Sequence, residues 1–495
     1  MGFDFRAVCG TVSVYFLGIP CYNLFSDKLG VDVKECDLSM EKTMTQGKEW
    51  KLILLFTLPL VAGNLLQQLY NAVDGIVVGN LAADGENALS AVGTCAPVTT
   101  IFIAVAVGMS SGCSILISQL YGARRNDEMR QAVSTALILV GAIGLGLSVV
   151  GSVIAKWFLV YVLRVPASFL EDAVAYFSIY CFGLLFQFVY NIVSFILRAL
   201  GDSSATLYFL LVSSVTNIVL DLIFVAYFHW DVPGVAVATV IAQAVSAVIS
   251  VVYMFKRHPL LRFGRGEFRF HRDKGLLALR LGIPTTLQQC IVSMGNIAVQ
   301  RVVNDFGITA GYTAGMRVEN FVSTLPISFN VGMSTFTGQN IGAGRLDRVQ
   351  RGLRATWGMG LSACAVVGLL TYLFASPLAG LFGVEGDALA TAVAYIHVLS
   401  PSLLIFGMYF ITTGVLQGSG DVNFAAANSL ISLGIRCIAA YTLAYLTPLG
   451  GAAVWISPVI GWGVVMFLAL ARYKWGPWRT KAVTSAKEPT EEQEG

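Results

Sequence analysis

Charged residues are scarce in this 495-residue chain: Asp, Glu, Lys and Arg together make up 12% of it, whereas 56% of the residues are hydrophobic. A water-soluble domain carries about twice that proportion of charge. The formal net charge is only +3, and the basic residues cluster between apolar runs, where they have a topological role in membrane proteins. This composition excludes a soluble domain, and we expect no nucleic-acid partner.

Sequence motifs for metal, redox or nucleotide chemistry are also lacking. The nine cysteines and the four histidines, His229, His258, His271 and His397, show no CxxC or Cys/His spacing of a zinc or redox site. No GxxxxGK[ST] nucleotide loop occurs, which disfavours an ATP-driven pump. We therefore expect no enzyme activity and no cofactor.

Long apolar segments are abundant. Charge-poor windows of roughly twenty residues or more recur along the chain, each long enough to cross about 30 Å of hydrocarbon as a helix. A transmembrane β-barrel would instead show alternating segments of about ten residues. The sequence predicts an all-α polytopic membrane protein with twelve transmembrane helices. The predicted spans are 51–80, 87–118, 131–155, 174–197, 203–228, 234–255, 276–303, 312–341, 353–375, 387–416, 423–446 and 450–472.

Lys and Arg are distributed unevenly among the connections between these spans. The connections after even-numbered spans include YGARRNDEMR and KRHPLLRFGRGEFRFHRDKG, whereas those after odd-numbered spans, such as NLAADGENAL and FGVEGDA, are almost without bases. Cytoplasmic loops collect Lys and Arg. We therefore expect a cell-membrane protein with both termini in the cytoplasm.

The two ends of the chain differ from the apolar body. Residues 1–45 join a short apolar run to a polar stretch, and their acidic start lacks the basic region of a signal peptide. This segment is interpreted as an N-terminal extension, with Met40 or Met44 as equally good starts. Residues 474–495 end in KEPTEEQEG, which is typical of a disordered, solvated tail.

The chain repeats itself at an offset of about 220 residues. Residues 119–127 and 339–347 share the pattern Q-x-x-G-A-x-R-x-D, and the dipeptide Gly-Asp recurs at 201–202 and 420–421. An even number of helices separates the copies, so the two halves insert the same way up and are related by an axis along the membrane normal. The expected domains are a first six-helix bundle at 46–256, a basic linker at 257–274 and a second six-helix bundle at 275–473.

A known family shares these motifs. The segments LPLVAGNLLQQLYNAVDGIVVG, SQLYGARRND, LRALGD, GQNIGAGRLD and LQGSGD, in this order, resemble the multidrug and toxic compound extrusion (MATE) family over residues 46–472. Within the family the resemblance is strongest to the branch of the DNA-damage-inducible F proteins. It implies two six-helix bundles around a V-shaped central cavity. It also implies export of organic, often cationic or amphipathic compounds by alternating access, driven by Na⁺ or H⁺, and we expect a functional monomer.

Few of the apolar spans contain a carboxylate, and two carboxylates stand most clearly inside them, where an ionised group costs roughly 2.5–3.5 kcal/mol. They are Asp74 in span 1 and Asp221 in span 5, and Asn217 shares a helix face with Asp221. Thr239 in span 6 lies at a similar depth, roughly 8–10 Å below the outer surface. These residues offer oxygen donors for a small cation, and two desolvated carboxylates equally favour a proton. The resemblance points to the same four residues as the coupling-ion site; the alternative is that Asp221 caps a helix contact or reaches the outer interface.

Further polar positions are candidates for a hinge and for substrate contacts. Pro59 removes a backbone hydrogen bond in the middle of span 1 and is expected to act as a hinge. A cavity of broad specificity needs scattered hydrogen-bonding groups and soft walls. The candidate wall residues are Gln67, Gln68, Asn71, Gln187, Asn191, Gln288, Gln289, Asn296, Phe195, Met294, Tyr409 and Phe410. For each polar residue alone, a hydrogen bond between helices is the competing interpretation.

The second half departs from the first at the ion-site positions. Arg436 stands where the repeat places Asn217, and Ala440 where it places Asp221, so no twin cation site is expected. Glu319 is the remaining acidic candidate there, and we expect it to form a local ion pair with Arg317.

Two alternative functions remain open at this stage. One is a lipid-linked oligosaccharide flippase of the same superfamily, which would have more spans and a strongly basic cavity. The other is a non-transporting membrane receptor, which would bind its ligand without moving it across the membrane.

Overall fold

The structure of the chain is a computed structural model that describes residues 43–81, 85–228, 230–264 and 266–483, with the side chains of all of these except 71–81, 85–89, 226 and 292–298. The predictions for residues 1–42 and 484–495 lie outside the described residues. Twelve described helices have 18 or more residues. They are, in chain order, α1 Glu49–Leu81, α2 Gly85–Gly122, α3 Asn126–Trp157, α4 Leu170–Ala199, α5 Ser204–Asp221, α6 Asp231–Arg257, α7 Arg272–Asp305, α8 Thr309–Gly342, α9 Leu346–Leu373, α10 Gly386–Gly418, α11 Val422–Leu446 and α12 Ala453–Trp475.

Each of the twelve helices coincides with one of the predicted apolar spans. Within the described residues, ten of them are long and apolar enough to cross a membrane, judged by length and composition. The other two, α7 and α8, carry charged residues such as Arg280 and Glu319 within their length, which lowers their mean hydropathy. The all-α polytopic fold class is confirmed, whereas the predicted domain boundaries stay predictions.

The repeated Q-x-x-G-A-x-R-x-D motif ends one helix and begins the next in each half. α2 ends at Gly122 and α8 ends at Gly342. Two residues later the backbone turns through positive φ, 56° at Arg124 and 71° at Gly344, which stops the helix. The motif's acidic residues then lie in the first turns of α3 and α9, where they complement the positive end of the helix dipole.

Helix α4 is the centre of the first half, where it packs against α2, α3 and α6. Its residues Phe177, Leu184, Phe188 and Ile192 recur at helical spacing and are almost fully buried. A Cβ atom added at Gly144 of α3 would lie 2.7 Å from Cβ of Phe188, so only glycine permits this approach. Packing of this kind holds helices together in lipid, because burial of apolar surface gains little there.

The two halves touch each other through α2–α7 and α1–α8, two pairs that the repeat makes equivalent. At the first of these, a Cβ atom on Gly108 would lie 2.3 Å from Cα of Thr286, and one on Gly112 would lie 2.3 Å from Cα of Gly282. The hydroxyl of Thr285 donates to the carbonyl oxygen of Gly108 at 2.7 Å. The helices therefore meet backbone to backbone at mid-length.

A second contact between the halves lies at the end of the bundle that carries residues 44 and 483, called the termini face below. A Cβ atom on Gly122 would lie 1.9 Å from the carbonyl oxygen of Gln339, and one on Gly342 would lie 1.9 Å from that of Gln119. The side chains cross as well: Gln119 Nε2 donates to Gly418 O at 3.0 Å, and Gln339 Nε2 donates to Ala199 O at 2.8 Å. The two repeated motifs thus lock onto each other reciprocally, which we call the glutamine seal.

The segments just before α1 and just after α12 bind to the glutamine seal. The backbone N–H of Met44 donates to Oε1 of Gln339 at 2.7 Å, and the backbone N–H of Val483 donates to Oε1 of Gln119 at 2.8 Å. Each glutamine amide is therefore used on both its donor and its acceptor side. Because buried polar atoms need partners, Met44 and Val483 complete the seal.

The two Gly-Asp dipeptides fasten the last helix of each half at equivalent positions. Asp202 accepts hydrogen bonds from Tyr253 Oη at 3.0 Å and from the backbone N–H of Ala205 at 3.1 Å, and its Oδ2 lies 3.3 Å from His258 Nε2. Asp421 accepts two hydrogen bonds from the guanidinium of Arg472, at 2.8 and 3.2 Å. Burial of Asp202 raises the pKa of its carboxyl, but the hydrogen bonds from His258, Ala205 and Tyr253 outweigh burial and leave the pKa below its usual value.

Replacing Asp202 tests this fastening through its pH dependence. A carboxyl with a lowered pKa in the folded state contributes stability above its unfolded pKa and loses that contribution as the pH falls through the folded pKa. We expect Asp202→Asn to lower the stability at pH 7 by roughly 1.5–3 kcal/mol, the range for hydrogen bonds to a charged group. The difference, followed by melting temperature in detergent, should begin to shrink near pH 4, about the pKa of an aspartate in an unfolded chain, and should vanish at lower pH, once the folded carboxyl is protonated. Asp127→Asn, at an exposed position on the same face, is the control; parallel pH profiles of wild type and Asp202→Asn would contradict this role.

Alanine at either glycine of the glutamine seal tests the contact between the halves. The new methyl group would overlap a backbone carbonyl oxygen in both Gly122→Ala and Gly342→Ala, and a helix backbone cannot turn aside as a side chain can. We expect spin labels at the exposed positions 127 and 347, which lie outside the positive-φ turns, to move apart in both variants. Gly358→Ala, where a Cβ atom meets nothing within 4 Å, is the matched control. An unchanged label distance in the seal variants would show that the glycines are not required for closure.

Candidate functional site

A cavity of about 620 Å³ lies between the two halves. Its wall is formed by α1, α2, α4, α5 and α6 from the first half and by α7, α8 and α10 from the second. Along α5 it extends from Thr206 to Asn217, a rise of roughly 16 Å at 1.5 Å per residue. This volume suits one drug-sized molecule.

Many of the predicted substrate residues lie on this wall. Pro59 and the apolar candidates Phe195, Tyr409 and Phe410 are among the lining residues. So are the polar candidates Gln67, Gln187, Asn191, Gln288 and Gln289. Gln68 is not among the lining residues of the cavity. Asn71, Met294 and Asn296 lie outside the described side chains, so their expected positions stay predictions.

Asn217 and Asp221 form the buried centre of the predicted ion site, each with 1% of its surface exposed. The amide of Asn217 is oriented by its neighbours: Nδ2 donates to Asp221 Oδ2 at 2.8 Å and to Tyr70 Oη at 3.1 Å, while Oδ1 accepts the backbone N–H of Thr239 at 3.2 Å. In the opposite orientation Nδ2 faces only Thr239 Oγ1, at 3.4 Å, and the amide oxygen turns toward the carboxylate, which is unfavourable. Asn217 therefore acts as a hydrogen-bond donor to the carboxylate.

The local backbone places these groups beside the cavity. Asn217 and Asp221 are one turn apart, and α5 ends at Asp221, where the chain continues as a π-helical turn, Leu222–Tyr227. Such turns are frequent at functional sites. Thr239 donates its hydroxyl to Val235 O at 2.9 Å. Asn217 and Thr239 line the cavity, whereas Asp221 does not, so the carboxylate lies behind the wall that these two residues form.

Asp74 lies in the helical backbone of α1, but its side chain is outside the described ones. The contact of Tyr70 Oη with Asn217 brings α1 against α5 one helical turn before Asp74. The pairing of Asp74 with Asp221 stays a prediction. Tyr70 itself was not singled out by the sequence; its signal is the four-residue spacing to Asp74 in the stretch YNAVD, which puts both residues on one helix face.

Glu319, the acidic candidate of the second half, has a different partner from the expected one. Its carboxylate accepts a hydrogen bond from Tyr395 Oη, and Tyr395 stacks between Tyr312 and Trp455, with ring centroids 5.7 and 5.8 Å away. Arg317 instead lies over the ring of Phe382, 5.7 Å from its centroid. The expected Arg317–Glu319 pair is not among the ion pairs of the described residues, because positions i and i+2 lie on different faces of a helix.

The second half contributes a network of neutral polar groups to the cavity. Gln417 Nε2 donates to Gln288 Oε1 at 3.1 Å, and Gln288 Nε2 donates to Ser429 Oγ at 2.9 Å. Tyr409 Oη lies 3.4 Å from the same hydroxyl. These groups suit hydrogen bonding to diverse ligands, since they carry no charge and both donate and accept.

The chain matches known proteins along almost its whole length. The MatE family model matches twice, at residues 59–223 and 284–442, in agreement with the internal repeat. The chain is 30% identical over 465 residues to "Probable multidrug resistance protein YoeA" of Bacillus subtilis (strain 168), covering 90% of this chain and 99% of that protein. It is 26% identical to "Probable multidrug resistance protein YpnP" of the same organism, covering 90% of this chain and 99% of that protein.

A solved structure agrees with the fold. The structure titled "Crystal structure of MATE in complex with MaD3S" superimposes with a TM-score of 0.80 at 25% identity, covering 88% of this chain and 97% of that chain. None of these matches separates the DNA-damage-inducible F branch from the rest, so that finer assignment stays a prediction. The twelve described helices, the internal repeat and the match to relatives over almost their whole length all lead to the same conclusion. The chain belongs to the MATE family of multidrug efflux transporters.

Proposed function

We propose that this protein is a secondary transporter of the cell membrane that exports organic, often cationic or amphipathic molecules in exchange for protons. The substrate occupies the cavity between the halves, and the proton binds at Asp221 together with Asp74. The observation that carries the proposal is a carboxylate with 1% of its surface exposed, held by the amide of Asn217 at 2.8 Å directly behind the cavity wall.

A carboxylate at this place couples two binding events through charge. Ionised Asp221 is costly in surroundings without water and is relieved either by a proton or by a nearby cationic substrate. The helical register puts Asp74 one turn beyond Tyr70, whose hydroxyl contacts Asn217, so the repulsion between two carboxylates would favour uptake of one proton. Proton and cationic substrate then compete for the same negative charge, which is the basis of exchange.

The orientation of Asn217 favours a proton over Na⁺ as the coupling ion. A sodium ion needs several oxygen ligands, but the amide oxygen of Asn217 already accepts the N–H of Thr239, and the amide nitrogen faces the carboxylate. A proton needs only the carboxylate. This hydrogen-bonding pattern therefore supports a proton as the coupling ion better than a Na⁺ ion bound by the oxygen ligands that the sequence suggested.

Alternating access assigns a role to the glutamine seal. The reciprocal contacts of Gln119 and Gln339 close the cavity at the termini face, and the basic connections predict that this face is cytoplasmic. Loading from the cytoplasm then requires the seal to open, and release outside requires it to close. Direct hydrogen bonds to backbone carbonyls are well suited to such a reversible contact, because water can replace each of them on opening.

Gradient-driven efflux from proteoliposomes tests the proposal. With ethidium as the probe, an imposed pH gradient should drive transport by the wild type, and Asp221→Asn and Asp74→Asn should reduce it to the passive leak. Asp387→Asn, an exposed carboxylate at the start of α10, is the matched control and should retain transport. Efflux that needs a Na⁺ gradient instead would replace the proton with sodium, and gradient-driven efflux by both variants would show that the ion site is wrong.

Pro59→Ala tests the hinge. Pro59 interrupts the hydrogen-bond ladder of α1 on the cavity wall, so alanine should straighten and stiffen the helix that leads to Asp74. We expect a lower transport rate and an altered dependence of rate on pH, with ethidium binding to the purified protein retained. A variant with the wild-type rate and pH response would remove the hinge from the mechanism.

A further inference from the structure

We propose that Arg198 and a ring of hydroxyl groups form a subsite for a single negatively charged group at the termini-face end of the cavity. Its ligand is a monoanion: the carboxylate of a zwitterionic or anionic substrate, or a small inorganic anion such as chloride. The assignment of a substrate carboxylate as the ligand rests on the transport function proposed above.

The subsite is a narrow extension of the main cavity, with a volume of about 30 Å³, enough for one group of the size of a water molecule or a carboxylate end. Among the described residues that line it, Arg198 is the one charged residue and none is a carboxylate. The remaining wall is rich in donors. Its polar lining residues are Ser111, Ser114, Ser118, Asn330, Ser334, Thr335 and Gln417.

Arg198 has no acidic partner among the described residues. Its Nε atom is buried and makes no hydrogen bond within the described part of the chain, and the guanidinium lies 5.0 Å above the ring of Phe195. By contrast, Arg348 donates to Asn340 Oδ1 and lies near Glu49, and Arg472 is paired with Asp421. A buried charge without a partner is expensive, and an anion in the subsite would relieve that cost.

Both halves supply hydroxyls to the subsite. Ser111, Ser114 and Ser118 recur at spacings of three and four along α2, which places them on one face of the helix. Ser118 donates to Ile115 O at 2.9 Å. Within the described part of the chain, the hydroxyls of Ser111, Ser114 and Ser334 make no side-chain hydrogen bond. Their hydroxyl protons are available to an anion, which accepts hydrogen bonds from several donors at once.

The internal repeat explains why the subsite carries one charge. The repeat position of Arg198 is Gln417, at an offset of 219, and Gln417 lines the same extension and donates to Gln288. One guanidinium faces one neutral amide, so a monoanion balances the site and a dianion would not. Arg198 is in the last turn of α4, where a base also complements the helix dipole, but that role alone does not explain its position in the cavity wall.

The subsite and the proposed proton site lie at opposite ends of the cavity. Thr206 lies on the wall near the start of α5, the end where Arg198 is found, and Asn217 lies eleven residues further on, roughly 16 Å away. A zwitterion of similar length would place its carboxylate at Arg198 and its amine toward Asp221. The cavity would thus orient such a substrate before transport.

A matched pair of ligands tests the proposal on purified protein. The probes are a fluoroquinolone with a free carboxylate and its methyl ester, and the measured quantity is the ratio of their affinities. We expect Arg198→Gln to lower the preference for the carboxylate by about tenfold or more, the loss typical of a charge-assisted hydrogen bond. Arg198→Lys should keep part of the preference, and Ser334→Ala should lower it by a smaller factor. Arg354→Gln, an exposed arginine away from the cavity, is the control.

A second measurement identifies an inorganic anion as the ligand. The melting temperature is compared in chloride and in gluconate, where a chloride-dependent stabilisation of the wild type that disappears in Arg198→Gln supports the subsite. The proposal is overturned if neither the affinity ratio nor the chloride effect depends on Arg198 and Ser334. If the affinity ratio falls in Arg198→Gln but the reconstituted wild type transports neither probe nor ethidium, the subsite is supported and the export function is wrong. If the wild type exports ethidium but Arg198→Gln changes neither the affinity ratio nor the chloride effect, the export function is supported and the subsite is wrong.

Discussion

The backbone contact between α2 and α8 at the termini face determines how the rest of the molecule is arranged. In a bilayer, apolar burial gains little, and helices associate where small residues let their backbones meet and where polar groups find partners. Gly122 and Gly342 supply the close approach, and Gln119 and Gln339 supply the partners, each bonded to a carbonyl of the opposite half. The cavity of about 620 Å³ is the space that remains between the halves beyond this contact.

The polar groups of the cavity are segregated by charge. Asp221 lies behind Asn217 and Thr239 near one end, Arg198 lies at the other, and neutral amides such as Gln288 form other parts of the wall. Isolated charges are costly in the membrane interior, and two opposite charges held apart keep their fields instead of neutralising each other. With the proposed roles of Asp221 and Arg198, such a cavity would distinguish ligands by the distribution of their charge as well as by their size.

The two halves have kept their scaffolding contacts and changed their chemistry. Asp202 binds Tyr253 and Asp421 binds Arg472 at positions equivalent in the repeat, because each half must fasten its last helix in the same way. The functional positions have diverged, however: Asn217 corresponds to Arg436, and Arg198 to Gln417. Symmetric scaffolding with asymmetric polar groups allows one half to hold the buried carboxylate of the proposed proton site while the other supplies neutral contacts.

The sequence by itself determined the helical spans, the internal repeat and the shared face of Asn217 and Asp221, because hydropathy, residue patterns and helical periodicity can be read from the chain alone. Most of the candidate substrate residues whose side chains are described, such as Gln67 and Gln288, lie on the cavity wall, since polar side chains inside apolar spans are rare. Only the tertiary structure decided that Tyr70 joins Asn217, that the amide of Asn217 donates to the carboxylate, that Glu319 binds Tyr395 and not Arg317, and that Arg198 lines the cavity. Those facts depend on which helices cross and how their side chains are directed at the crossing, and one linear sequence does not contain that information in any local pattern.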